Sequence, residues 1–231
     1  MINEQLVNLS NDFFQNSLDA SPTSAIMRGH KAYFDKIEEL TEEQFEIDSK
    51  NVDDYLKRLR EIEHTSLSNR ERVTYGMLEF ALGSNKDSLL DKGWEFSAGV
   101  AGFTGFLIDY NQQMFIPDME SADLLLKRLE LYKRLFNQIA YVQKTGLENN
   151  RVATERNLLR TIDQLENYLD TTLENDPLLL VNFSPDISDG DISNWKEKAK
   201  VIIESNIRPS VLSYLEPVSY THLRAHETHI D

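Results

Sequence analysis

The chain has 231 residues, 24 basic and 39 acidic side chains, a net charge of −15 and no cysteine. Those figures exclude a disulfide framework, a thiol nucleophile and a Cys-ligated zinc. They also disfavour a surface that coats nucleic acid or anionic lipid, which needs clustered Lys and Arg.

A hydrophobic content of 40% with 11 Phe, 9 Tyr and 2 Trp is enough for a packed core, and nine Gly with six Pro favour helices over a turn-rich β fold. Residues 3–20 set Leu6, Leu9, Phe13 and Leu18 near one face, the spacing of an amphipathic helix. Ser21-Pro22 predicts a short helix opened by proline, with Gly29 as its stop. Thr41 with Gln44 has the form of a capping box ahead of a helix to about Glu63, which carries Phe45, Val52, Tyr55, Leu56, Leu59 and Ile62. Ser68 with Glu71 forms a second box. Val73, Met77 and Ala81 predict the face of the helix that follows, and Gly83 its end.

Residues 93–116 differ. Gly93, Gly99, Gly102 and Gly105 sit among Trp94, Phe96, Phe103, Phe106, Tyr110 and Phe115, and charge nearly vanishes. Glycine weakens helix, so this stretch reads as broken helix or extended chain inside the fold, closed by Pro117. Ser121 then predicts the cap of a helix over about 122–145, where Leu125, Leu129, Tyr132, Phe136 and Ile139 step by four and three residues up to Gly146. Residues 153–173 repeat the seam with Leu158, Ile162, Leu165 and Leu169. The short connection predicts an antiparallel hairpin in which the two seams are partners. Residues 176–192 read as a loop with Pro177, Pro185 and Gly190. A last helix is expected from near Ser193, burying Trp195, Ala199 and Ile202, with a kink at Pro209 before Val211, Leu212 and Leu215. The expected fold is all-α, an irregular multi-helix bundle with a long antiparallel hairpin.

No apolar run reaches about 18 residues, so no membrane span is expected. The start, Met-Ile-Asn-Glu-Gln, lacks the pattern of a signal peptide. As written the chain reads as cytoplasmic, or as periplasmic or exported if a signal has been lost.

Three of the five histidines crowd into His-Leu-Arg-Ala-His-Glu-Thr-His at the end. His222 and His226 have i, i+4 spacing, but Glu227-Thr228-His229 is one residue short of the zincin pattern His-Glu-x-x-His. The eleven residues Val218–Thr228 agree throughout with a translated transposase adapter from sequencing libraries. Residues 217–231 are therefore read as a non-native tail without regular structure. That tail holds one Arg, one Glu and one Asp, so the charge of residues 1–216 is −14.

Of the remaining histidines, His30 follows Gly29 in a turn, and His64 ends a helix, where a cation is favoured. Neither has a carboxylate at ligand spacing. The acidic pairs Glu38-Glu39, Glu42-Glu43 and Asp53-Asp54 read as solvated helix faces. No nucleotide-binding glycine pattern and no nucleophile elbow is present. The sequence thus offers no catalytic, cofactor-binding or metal residue. The segment 93–116 reads either as buried packing or as a cleft wall formed by Trp94, Phe96, Phe103, Phe106 and Tyr110.

Several motifs resemble one family. Pro22-Thr23-Ser24-Ala25 with Gly29 is similar to its opening pattern, although Ser24-Ala25 reverses the order of the small residues. Arg128-Leu129, Gln138-Ile139 and Ile162-Asp163-Gln164-Leu165 resemble its helical hairpin, with Asn149–Ala153 lacking the expected proline. Ile207-Arg208-Pro209 through Leu215 resembles its kinked helix. The family is the bacterial domain of unknown function 885, and the resemblance covers residues 5–216. It implies a mostly helical fold, zinc-dependent peptide hydrolysis in the full-length protein, and a His-Glu-x-x-Pro-Gly-His-His motif far towards the C-terminus. That motif is absent from this sequence, so no ligand or general base carries over. The resemblance therefore implies that residues 1–216 are the N-terminal helical part of a larger metallopeptidase-like domain with a peptide substrate. A non-enzymatic helical module that binds another protein is the other reading.

Overall fold

Helical periodicity becomes helix along most of the chain, and the differences lie in where helices end and which faces they bury. A computed structural model describes residues 3–96 and 110–227. Its helices are α1 (Glu4–Ala20), α2 (Pro22–Met27), α3 (Glu42–Arg60), α4 (Asn69–Leu90), α5 (Met119–Glu130), α6 (Tyr132–Glu148), α7 (Glu155–Asp170), α8 (Asp189–Ile202) and α9 (Arg208–Glu227). Two short strands, β1 (Phe115–Ile116) and β2 (Asn182–Phe183), pair in parallel. This is an all-α, irregular multi-helix fold. It divides into two compact units, one of residues 1–20 and 40–93, the other of residues 21–39 and 94–231.

In the first unit, Leu6 and Leu9 of α1 meet Val52, Leu56 and Leu59 of α3 and Leu78 and Leu82 of α4. Each fully buried leucine contributes about 1.5–3 kcal/mol. The Thr41 hydroxyl accepts the Gln44 N–H at 3.2 Å, but the Gln44 side chain turns to Asp48, so only half of that capping box forms. The box at Ser68 is complete. The Glu71 carboxylate also accepts the Asn3 N–H at 2.7 Å, which ties the start of α4 to the start of α1.

Packing against α1 and α3 corrects the expected face of α4. Leu78 and Leu82 turn inward, whereas Val73 and Met77 are exposed. Gly83 does not end the helix either. Its φ is not positive, and α4 continues to Leu90.

In the second unit, the helix expected over 122–145 is two helices that meet at Leu131. Asp118 rather than Ser121 caps the first, accepting the Ser121 N–H at 2.9 Å. Gly146 lies inside α6, which runs on to Glu148. The seam residues Leu125, Leu129, Tyr132, Phe136 and Ile139 are all buried. The main helix closing the α6 seam is α9, which packs extensively on both α6 and α7.

The expected loop 176–192 contains one 3-10 turn, Pro177–Leu179, and β2; the N–H groups of Asn182 and, just past the strand, Ser184 donate to the carbonyls of Met114 and Ile116 at 2.9 and 2.8 Å. Ser188 caps α8, starting it at Asp189, earlier than Ser193. Trp195 is buried, donates to the Ala122 carbonyl at 2.7 Å and meets Phe183 edge-on. Just before Pro209 the chain takes a π turn, Ile203–Ile207. A wider turn accommodates a proline that lacks a donor and would clash with the preceding turn. α9 is helical to Glu227, through most of the expected tail, and buries Val211, Tyr214 and Val218.

Candidate functional site

The glycine and aromatic segment is the strongest site candidate from sequence. Phe103 and Phe106 lie outside the described residues, and of Phe96 only the backbone, in the 3-10 turn Gly93–Phe96, is described. Trp94 and Tyr110, at the two ends, are half-buried. The structure therefore shows how the segment is anchored.

At the entry, Glu95 is buried and its carboxylate meets Arg151 at 2.9 Å. Gly146 makes this contact possible. A Cβ there would stand 2.5 Å from the Glu95 carbonyl and 2.7 Å from the Arg151 carbonyl, closer than side chains tolerate. At the exit, Asn111 and Met114 are buried and lead into β1. Neither polar atom of the Asn111 side chain has a hydrogen-bond partner among the described residues. Buried amides are nearly always paired, so this position is unusual.

A second set of buried polar groups lies deeper in the same unit. Arg128, on α5, has no solvent exposure and stands 3.6 Å from the Glu38 carboxylate. It also donates to the Lys36 carbonyl and the Thr23 hydroxyl. Glu38 in turn accepts the N–H and hydroxyl of Thr23, each at 2.9 Å. Glu38 is thus a buried ion-pair partner rather than part of a solvated helix face. The available signal was an arginine at position 128 inside an apolar seam, three residues after Leu125 and four before Tyr132.

A comparable arrangement ties α9 to the chain after α7. Arg208 reaches the buried Asp176 at 3.0 Å and the Thr171 carbonyl at 2.6 Å. The Asp176 carboxylate also accepts the Leu178 N–H.

These groups hold structure together. Burial pushes the Tyr132 and Tyr214 phenols above their ordinary range, and burial together with the Asp176 charge does the same for Tyr168. All three stay protonated near neutral pH, able to donate but not to act as bases. Both charges of each ion pair face a partner, so neither pair presents an unpaired charge to a ligand.

In the first unit a groove of about 590 Å³ runs between α1 and the start of α4, lined by Val7, Asn11, Arg70 and Thr74 among others. Its lining brings together no acid–base pair that could transfer a proton. His30 and His64 belong to different units, and each lies edge-on to a tyrosine, Tyr33 and Tyr75 respectively. Among the described residues, no three His, Asp or Glu side chains are gathered so that they could hold a metal ion. Among the same residues, no helix is long and apolar enough to cross a membrane.

Among curated proteins there is no match. A solved structure titled as the putative lipoprotein from Colwellia psychrerythraea is similar, with a TM-score of 0.72 at 15% identity. The match covers 94% of this chain and 41% of that one. At that identity the likeness shows the fold, and the present chain spans well under half of the neighbour's length. Residues 22–229 match the family described as bacterial protein of unknown function, DUF885. A match over nine-tenths of the sequence, on a helical fold shared with a longer solved neighbour, places this chain in the bacterial DUF885 family.

Proposed function

We propose that residues 1–216 are the N-terminal helical part of a zinc-dependent peptidase and that the hydrolytic residues lie beyond this chain. The peptidase part of the reading rests on what the sequence resemblance implies; membership of the family over residues 22–229 supports that resemblance, and the length of the solved neighbour, of which this chain covers 41%, leaves room for hydrolytic residues elsewhere. The described residues do not themselves fit a zinc ion, since no three His, Asp or Glu side chains are gathered among them. No step of hydrolysis is placed on this chain.

Its part in that reading is to shape the cleft. A wall formed by Trp94, Phe96, Phe103, Phe106 and Tyr110 would receive apolar side chains of a peptide. The Glu95–Arg151 ion pair supports this by anchoring one end of the segment, and the β1–β2 pairing supports it by holding the chain just past the other end. That the neighbour is described as a lipoprotein favours an exported protein, and residues 217–231 are a sequencing tail in this reading.

The test is the uninterrupted gene. Reading past codon 216 is expected to reveal His-Glu-x-x-Pro-Gly-His-His downstream, with codons 218–228 missing from genomic DNA. A stop soon after codon 216 would sink the peptidase reading and leave the helical interaction module in its place. Purified residues 1–216 are expected to show no zinc-dependent peptidase activity, and activity there would equally overturn the assignment.

A further inference from the structure

α4 has two apolar faces. Leu78 and Leu82 point into the core of the first unit. The opposite face carries Val73, Met77 and Phe80, which are 63%, 69% and 79% exposed. Gly76 and Gly83 lie beside them, and nothing stands within 4 Å of where a Cβ would be at either position.

Glycine inside a helix costs stability relative to alanine, so it persists where something needs the space. Among the described residues nothing uses it. The two glycines are seven residues apart, two helical turns, which is the repeat at which one helix packs along another. Large apolar side chains flanking two glycines make one half of a close helix–helix seam. Three large apolar side chains exposed side by side on one stripe of a helix mark a contact surface.

Length says what encloses it. The Colwellia structure matches nearly all of this chain, yet this chain covers only 41% of it. A member of that size has more than half of its residues to place around the same helical core. We propose that Val73, Gly76, Met77, Phe80 and Gly83 form the docking seam for an apolar helix from the part of the full-length protein outside these 231 residues. The proposal goes beyond the peptidase reading and does not depend on zinc or hydrolysis.

A change of sign tests it. The double variant Gly76→Ala, Gly83→Ala is made in this chain and in the product of the whole reading frame. In this chain Tm should rise, because helix propensity improves and the added methyls meet nothing. In the longer protein Tm should fall by several degrees, because the same methyls prise the seam apart. A rise in both overturns the proposal, as does a reading frame that adds nothing to these 231 residues. A chain that runs as a dimer in light scattering and loses Tm on the same substitutions also overturns it, assigning the seam to a second copy. As an independent readout, p-benzoylphenylalanine placed at position 80 of the longer protein should crosslink to peptides outside residues 1–231. Crosslinks confined to residues 1–231, or made to another molecule, or none at all, count against it.

Discussion

At the scale of single residues, two positions hold the second unit together by opposite means, one by being small and one by being charged. Gly146 has backbone oxygens of Glu95 and Arg151 within 2.5 and 2.7 Å of a would-be Cβ. Carbonyls cannot step aside as a flexible side chain can. Gly146→Ala should therefore cost about 1–3 kcal/mol, the range for overpacking, and urea unfolding should show a lower midpoint with an unchanged slope. An unaltered midpoint would mean that the approach is looser than described. Arg128 works by charge. Arg128→Met would strand the Glu38 carboxylate, which is only 6% exposed, and breaking a buried pair from one side costs about 3–5 kcal/mol. The double variant Arg128→Met, Glu38→Met removes both charges and should recover most of that loss. If the two single costs simply add in the double-mutant cycle, the pair does not interact as the geometry states.

At the scale of elements, the strongest local device is the cap of α4. The Glu71 carboxyl is held down at about 2, against an ordinary 4.5, first by the Ser68 hydroxyl and then by the backbone N–H groups of Asn3 and Ser68. A folded value below the unfolded one stabilises the protein above the unfolded value, and that stabilisation is lost as pH falls through the folded value. Asp118 follows the same rule, held down at about 2 by Lys31 and by Ser121. Tm should therefore drop as pH falls from about 4.5 towards 2, and Glu71→Gln should flatten part of that slope. A slope identical to wild type would remove Glu71 from the account. Ser68→Ala should cost about 1 kcal/mol at neutral pH.

This cap was legible in the sequence because its four residues carry their own signal. The ends at Gly83 and Gly146 were not, because glycine stops a helix only where φ turns positive, as at Gly29 with φ +86°. The buried face of α4 was not legible either. Apolar residues stand on both sides of it, and the side that is buried is set by partners far away in sequence, Leu6 and Leu9 of α1 and Val52, Leu56 and Leu59 of α3. The candidate cleft residues Trp94 to Tyr110 stood out by composition. Their anchors, Glu95 with Arg151 and β1 with β2, depend on pairings 56 and 67 residues apart that no local pattern encodes.

At the scale of the whole molecule, sequence order and structural membership part company. The chain leaves the first unit after Ala20, spends residues 21–39 in the second, and returns at Leu40. α1 and α2 are separated by one residue, yet they are held by different partners. α1 is fixed through Leu6 and Leu9 in a core shared with α3 and α4. α2 is fixed through Thr23, which bonds Glu38 and Arg128 in the second unit. Cooperative opening follows packing rather than chain order. In native-state hydrogen exchange under rising denaturant, amides of α1 such as Leu9 should merge with those of Leu56 and Leu82. The Ala25 and Arg28 amides, bonded to the carbonyls of Ser21 and Ser24, should instead follow α5. Arg128→Met sharpens the contrast, since it should speed exchange in α2 and leave α1 unchanged. If α1 and α2 exchanged together, and responded together to that substitution, the helices would form one unit by adjacency, and the division of the fold drawn from packing would be wrong.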